Sequence, residues 1–308
     1  MSLSDTEIEL AYRLVLGRSA SEQERATIAG QHETLGSLRD AFLRSGEFAL
    51  KFRSLQAEVS QAMVPALVHL HIPKTAGSSL TQVLLDGAKH ERRFTVGDND
   101  IGRLEALSFP ERRELQFIFG HLAHGVHDLL PQPVIYICVL REPGPRLLSY
   151  YRYIHRRTDH PLHDVVGGRG MSFGQFLEYA AETPTVRIEM DNGQMRCLAG
   201  NKSVSGLGQE SALLPKALHN VFSPNLVYGL TEHFEHFMDH LTRRGFIEGY
   251  TPTVENAAPE PGQLDDVLRD LTETQLALFN AFNIWDAHLY EVCRSVYFAG
   301  SQSEIIQG

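Results

Sequence analysis

Two apolar runs, each ending in a turn that leads into a helix, constrain the fold of this 308-residue chain more than any other feature. ALVHLHI, residues 66–72, has strand length, ends at Pro73 and gives way to KTAGSS and the helix-like SLTQVLLDGA. PVIYICVL, residues 133–140, leads through REPGP into a helical RLLSYYRYIHRR. LQFIFG, residues 115–120, adds a third run rich in aromatic and β-branched residues, and NLVYGL, residues 225–230, a short fourth. Strands alternating with helices predict an α/β fold, three layers with a central parallel sheet. After residue 171 helical patterns dominate, in SFGQFLEYA, DNGQMRCLAG, EHFEHFMDHL and the long TETQLALFNAFNIWDAHLYEVCRSVYF. GYTPTVENAAPEPG, residues 249–262, is rich in turn formers and reads as a surface loop.

Ahead of Pro65 the pattern is different. Ile8, Leu10, Ala11, Leu14 and Val15 recur at helical spacing, Leu38, Ala41 and Phe42 repeat it, and Ser4 and Asp5 are plausible caps. The change predicts a small helical module over 1–62 and a main domain over 63–308. A net charge of -10, from 28 Lys+Arg against 38 Asp+Glu, excludes a generally basic nucleic-acid binder. At 43% hydrophobic and 21% charged the composition excludes disorder and collagen-like repeats. Cys138, Cys197 and Cys293 are odd in number, far apart and without a C-x-x-C pair, which suggests neither a disulfide framework nor a zinc-cysteine site. No apolar run approaches the ~20 residues that span a bilayer, and MSLSDTEIELAYR lacks the apolar stretch of a signal peptide. The expectation is a cytoplasmic protein whose membrane contact, if any, is peripheral.

The chemistry concentrates in two stretches. His71-Ile72-Pro73-Lys74-Thr75-Ala76-Gly77-Ser78-Ser79 lies between a strand and a helix, where backbone N–H groups and the positive end of the helix dipole make a phosphate cradle. Thr75, Ser78 and Ser79 add hydroxyls, and Lys74 a compact cation for charge building on a leaving phosphate. A Walker A loop places its lysine after the second glycine, whereas Lys74 precedes Gly77, which argues against an ATPase or GTPase. The second stretch runs from Leu140 through Arg141-Glu142-Pro143-Gly144-Pro145-Arg146 to Ser149-Tyr150-Tyr151, again from strand to helix. Ligands bind beyond the carboxyl ends of parallel strands, so Arg141 and the 74–79 loop are expected to face one crevice. Arg141 can fork onto a phosphate and Ser149 add a hydroxyl, while Arg146, Arg152, Arg156 and Arg157 make the neighbourhood cationic. Arg156 and Arg157 are expected on a solvated helix face.

I-P-K-T-A-G-S-S, followed about seventy residues later by V-L-R-E-P-x-x-R-L-L-S-Y-Y, resembles the PAPS-dependent sulfotransferases. More narrowly it is similar to the carbohydrate branch that includes heparan sulfate 2-O-sulfotransferase and many bacterial relatives. The resemblance runs from about Leu67 to Phe298, roughly three quarters of the chain, and takes in DNGQMRCLAG, LVYGLTEHFE and NAFNIWDAHLYE. It implies a P-loop-like fold and 3′-phosphoadenosine 5′-phosphosulfate (PAPS) as sulfuryl donor, with no metal. Lys74, Thr75, Ala76, Gly77, Ser78 and Ser79 would take the 5′-phosphosulfate, and Arg141 with Ser149 the 3′-phosphate. His121, in Phe119-Gly120-His121, matches the family's catalytic histidine; as general base it would take the acceptor hydroxyl's proton while Lys74 aids the leaving phosphate. The acceptor implied is a glycan or another hydroxyl-bearing molecule.

The resemblance has departures. Phe119 stands where the 2-O-sulfotransferase has a second histidine, and VENAAPEPG, with Asn256, lacks the cation of the family's late basic loop. Asp191, Asn192, Gln194 and Arg196 follow the bacterial N-x-Q-T-R-x-L-A-G pattern with Met195 for Thr, and acceptor contact by Gln194 or Arg196 competes with helix packing. GNKSVSGLG, residues 200–208, is flexible by composition and suited to folding over bound nucleotide. EIELAYRLVLGRSASEQE with LRDAFLRSGEFA resembles a helical module found beside bacterial transferases, marked by Y-R-x-x-L-G-R. Two histidine clusters, His121 with His124 and His127, and His233 with His236 and His240, lack metal-site spacing and are assigned no metal. Two other functions compete: a nucleotide-dependent phosphotransferase using the same cradle, and a non-catalytic nucleotide-binding protein.

Overall fold

The computed structural model describes residues 3–51, 53, 64–87, 92–97, 101–250 and 262–307. Most of the turn-rich 249–262 segment, including Asn256, and the end of the helical module therefore lie outside the described residues. The chain divides into two compact units, Met1–Val64 and Pro65–Gly308.

The first unit contains α1 (Asp5–Ala11), α2 (Glu22–Gln31) and α3 (Leu35–Leu43), with a π-helical turn over Tyr12–Leu16. Ser4 with Glu7 and Ser21 with Glu24 form capping boxes that satisfy the first amides of α1 and α2. The Y-R-x-x-L-G-R marker proves to be structural. Tyr12 packs edge-on against Phe42 at 4.8 Å, Leu16 is buried, and Gly17 turns the chain at φ 65° where a Cβ would strike Lys51. Arg18 stacks on Tyr12 and pairs with both Glu24 and Glu47, joining segments far apart in sequence.

Among the described residues the second unit is built on five parallel strands: β1 (Ala66–Leu70), β2 (Arg93–Val96), β3 (Phe117–Gly120), β4 (Val134–Leu140) and β5 (Leu226–Leu230), in the order β2-β3-β1-β4-β5. This is the predicted α/β fold. Strands covered on both faces read as unbroken apolar runs, because alternate residues serve two cores. Ala66, Val68, Leu70, Ile118, Tyr136, Cys138 and Leu140 enter one core; Leu67, Phe117, Ile137 and Val139 enter the other. The first is closed by α7 (Gly193–Ala199), α8 (Glu210–Val221) and α10 (Glu273–Gln307), through Met195, Leu198, Ala217 and Leu289. The second is closed by α4 (Gly77–Gly87) and α9 (Phe234–Arg243), through Leu80, Leu84, Phe237 and Leu241. A third cluster joins α5 (Pro143–Arg156) and α6 (Phe173–Glu182) to Phe279 and Phe282 of α10.

The edge strand β2 and the helix α8 were not legible in the sequence. β2 is four residues long with Arg93 exposed, and α8 carries Pro215 in its interior, normally a helix-breaking signal. Among the described residues no helix is long and apolar enough to cross a membrane, and Cys138, Cys197 and Cys293 are all free and buried.

Because every strand is parallel, the carboxyl ends share one edge, and the chain reverses its direction of travel across the sheet between β1 and β4. That switch point is where an open α/β sheet forms a crevice. The loops that follow β1, β3 and β4 all open onto this edge.

Candidate functional site

The turn after β1 is shaped by an uncommon backbone. Lys74 at φ 68° and Ala76 at φ 62° both adopt the left-handed region without being glycine, on either side of Thr75. Such conformations cost roughly 1–3 kcal/mol each and persist where the surroundings hold them; a turn of this kind directs successive N–H groups toward one point. The Ala76 carbonyl accepts from Leu80 N–H at 3.1 Å and starts α4, whose first amides have no partner within the helix. Ser78 is exposed and Ser79 half-buried at this end. Thr75 differs from expectation. It is buried, and its hydroxyl donates to the Ile72 carbonyl at 2.9 Å, so its side chain braces the loop and its backbone is what the cradle receives.

Lys74 is half-buried with its ammonium 4.2 Å from the centre of the Tyr153 ring, and Arg157 lies over the same ring at 5.6 Å. Burial, then Arg156, Arg141 and Arg157, pull the Lys74 ammonium down to about 8. Burial and three neighbouring cations thus disfavour the charged ammonium until an anion comes near it. Arg156 and Arg157 are exposed as expected, and Arg157 forks onto Asp159.

Arg141 connects the two loops. Its Nη1 donates to the Lys74 carbonyl at 3.0 Å, and its own peptide is clamped by Gln194, whose Oε1 accepts from Arg141 N–H at 2.9 Å while Nε2 donates to the Arg141 carbonyl at 2.8 Å. Gln194 is fixed in turn by Asp286 of α10, which accepts from the Gln194 and Met195 amides and so caps α7 from a distant helix. Asn192, at φ 54°, accepts from the Trp285 and Asp286 amides. Arg146 is not part of the cationic surface: it is fully buried, 3.6 Å from Asp286, with its guanidinium against Gly193. Ser149 stands half-buried farther along α5.

The residues proposed for acceptor contact turn inward. Gln194 is the clamp just described. Arg196, wholly buried, donates to the carbonyls of Asp191 and Gly206 and pairs with Glu210. It thereby ties down the 200–208 loop, which Lys202 also anchors through Glu189 at 2.7 Å. Composition suggested a flexible segment because its partners Arg196 and Glu189 lie outside it.

At the ends of β1 and β3, His71 and His121 meet edge to face with ring centroids 4.9 Å apart, and His69 stacks behind His71 at 5.5 Å. Gly120, at φ 144°, is required by the neighbouring strand β2: a Cβ there would lie 2.0 Å from the Val96 carbonyl oxygen. His124 and His127 turn instead to Tyr136, whose hydroxyl lies 2.8 Å from His127 Nδ1, and His236 bonds Tyr297. No role for His71, Tyr153 or Asp286 was read from the sequence. His71 had a signal, since it directly precedes the motif; Asp286 lies in the NAFNIWDAHLYE segment, but nothing there pointed to Gln194, 92 residues away, as its partner.

Comparison with known proteins bears on the segment that carries both loops and both histidines. Residues 62–198 match the model of the sulfotransferase family. The match supports sulfuryl transfer in general. No curated protein matches the chain. Among solved structures it is similar to a sulfotransferase from Alicyclobacillus acidocaldarius, at 15% identity and a TM-score of 0.37, over 73% of this chain and 99% of that one.

Proposed function

We propose that this protein moves a sulfuryl group from PAPS to a hydroxyl of a carbohydrate acceptor by direct in-line transfer. One observation carries the reading: a backbone cradle ringed by Lys74, Arg141, Arg156 and Arg157 meets a pair of histidines at one sheet edge. The fit to a nucleotide carrying two separated phosphates rests on two distinct anion-binding elements. Gly77, Ser78 and Ser79 offer helix-start amides and hydroxyls for the 5′-phosphosulfate, and Arg141 with Ser149 lies across the switch point for the 3′-phosphate.

Transfer breaks the bond between sulfur and the bridging phosphate oxygen and forms one between sulfur and the acceptor oxygen. By analogy with phosphoryl transfer the transition state is loose, so the protein contributes position and electrostatics more than covalent chemistry. His121 takes the acceptor proton. Lys74 neutralises the charge that collects on the departing phosphate, and the Tyr153 ring holds its ammonium beside the cradle.

Release of the desulfated nucleotide PAP, followed against a panel of glycans, tests the reading. Lys74→Ala is expected to lower turnover by about 10²–10³ and His121→Ala by about 10²–10⁴. Variants that turn over like the wild type contradict the mechanism, and transfer from ATP in preference to PAPS contradicts the donor.

A further inference from the structure

His71 has no part in the reaction as written above, yet it occupies the ground between the cradle and His121. A Cβ built on Gly77 would fall 2.1 Å from His71 Cδ2 and 2.5 Å from Nε2, so this ring edge rests on the first residue of α4. Only glycine admits the ring there. The opposite approach is to His121, edge to face at 4.9 Å, and the His71 amide donates to the Gly120 carbonyl at 3.0 Å, beside His121 itself. His69 backs the ring at 5.5 Å, nearly coplanar at 8°. Thr81 donates its hydroxyl to the Gly77 carbonyl at 2.9 Å and therefore accepts from His69 Nδ1–H at 3.0 Å, which fixes the stack to the start of α4. Burial, then His121, Lys202 and Lys74, push the His71 imidazole down to about 4. A neutral imidazole retains one N–H to donate.

We propose that His71 is a further catalytic residue of the sulfuryl transfer assigned above, touching the sulfonate in passage and donating a hydrogen bond to one of its non-bridging oxygens. The inference rests on the sulfotransferase reading. The sulfur–bridging oxygen bond breaks with its electron pair going to the phosphate of PAP, the sulfur–acceptor oxygen bond forms, and the acceptor proton goes to His121. His71 keeps its proton throughout. It supplies a fixed donor where charge spreads over the sulfonate, at a site whose cations already serve the phosphates.

Two variants of similar length separate donation from packing. His71→Gln keeps an N–H near the Nε2 position, and His71→Met fills the space without one. With PAPS as substrate and PAP release as readout, His71→Met is expected to lose about 100-fold in kcat and His71→Gln no more than about tenfold, while both bind PAP, which lacks the sulfonate, within about threefold of wild type. Equal turnover in all three proteins overturns the proposal. So does a parallel loss of turnover and PAP affinity, which is the mark of a packing role. A wild-type protein that neither binds PAP nor releases it from PAPS overturns the sulfotransferase reading and this role with it, so the two failures appear in different proteins.

Discussion

The turn after β1 and the turn after β4 face each other across the switch point and hold their shapes by opposite means. The first is shaped by its own backbone, with Lys74 and Ala76 in the left-handed region and Thr75 bonded back to Ile72. It offers N–H groups and one half-buried lysine. The second is shaped from outside, by the Gln194 clamp on the Arg141 peptide and by Asp286 behind it. It offers one side chain from a peptide bonded at both its N–H and its carbonyl. The contrast teaches that two turns at one sheet edge need not share a design: amides that are to converge on one group need a curved backbone, whereas a single guanidinium needs a rigid base.

The contrast can be broken most forcefully at Asp286. Its removal strands the buried Arg146 and uncaps α7; breaking a buried pair costs about 3–5 kcal/mol, and for a unit of this size the thermal midpoint should fall by roughly ten degrees. An unchanged melt would show that the second turn is not held from the core. Gln194→Leu strips the partners from the Arg141 amide and carbonyl. It should weaken PAP about tenfold while leaving AMP, which lacks the 3′-phosphate, unaffected in the same calorimeter; equal weakening of both would place the clamp's effect elsewhere.

The first turn is sharpened by pH. A bound phosphate raises the Lys74 ammonium from its depressed value of about 8, so binding takes up a proton. PAP affinity should be constant below that value and fall as pH rises through it, by at most about tenfold per unit. Titration at pH 8.5 in buffers of different ionisation enthalpy measures the uptake, which Lys74→Ala should abolish. The smallest effect belongs to Tyr153→Leu, where loss of the cation–π contact should cost about 0.5–1 kcal/mol of PAP binding.

Much of this site was legible because its parts are local. A strand, a glycine-bearing turn and a helix follow one another within 66–87, and again within 134–156, so the crevice follows from order alone. What could not be read was whatever depends on distant partners. Arg146 reads as one more surface cation of an Arg-rich helix until Asp286 of α10 is seen beside it. For Gln194 and Arg196 the sequence left acceptor contact in competition with helix packing, and in the fold Gln194 is consumed by the Arg141 peptide and Arg196 by two carbonyls and Glu210. Thr75 looked like its serine neighbours, and only the left-handed turn reveals that its hydroxyl points back into the loop.

The central claim is that Arg141 and the 74–79 cradle together form one site for a nucleotide with two separated phosphates. Calorimetric titration with PAP beside AMP, ADP and ATP, without added Mg²⁺, on wild type and on Arg141→Ala, tests it most directly. The account predicts selective binding of PAP by the wild type and loss of that selectivity in the variant. No PAP binding, or an equal preference for ATP, would contradict it.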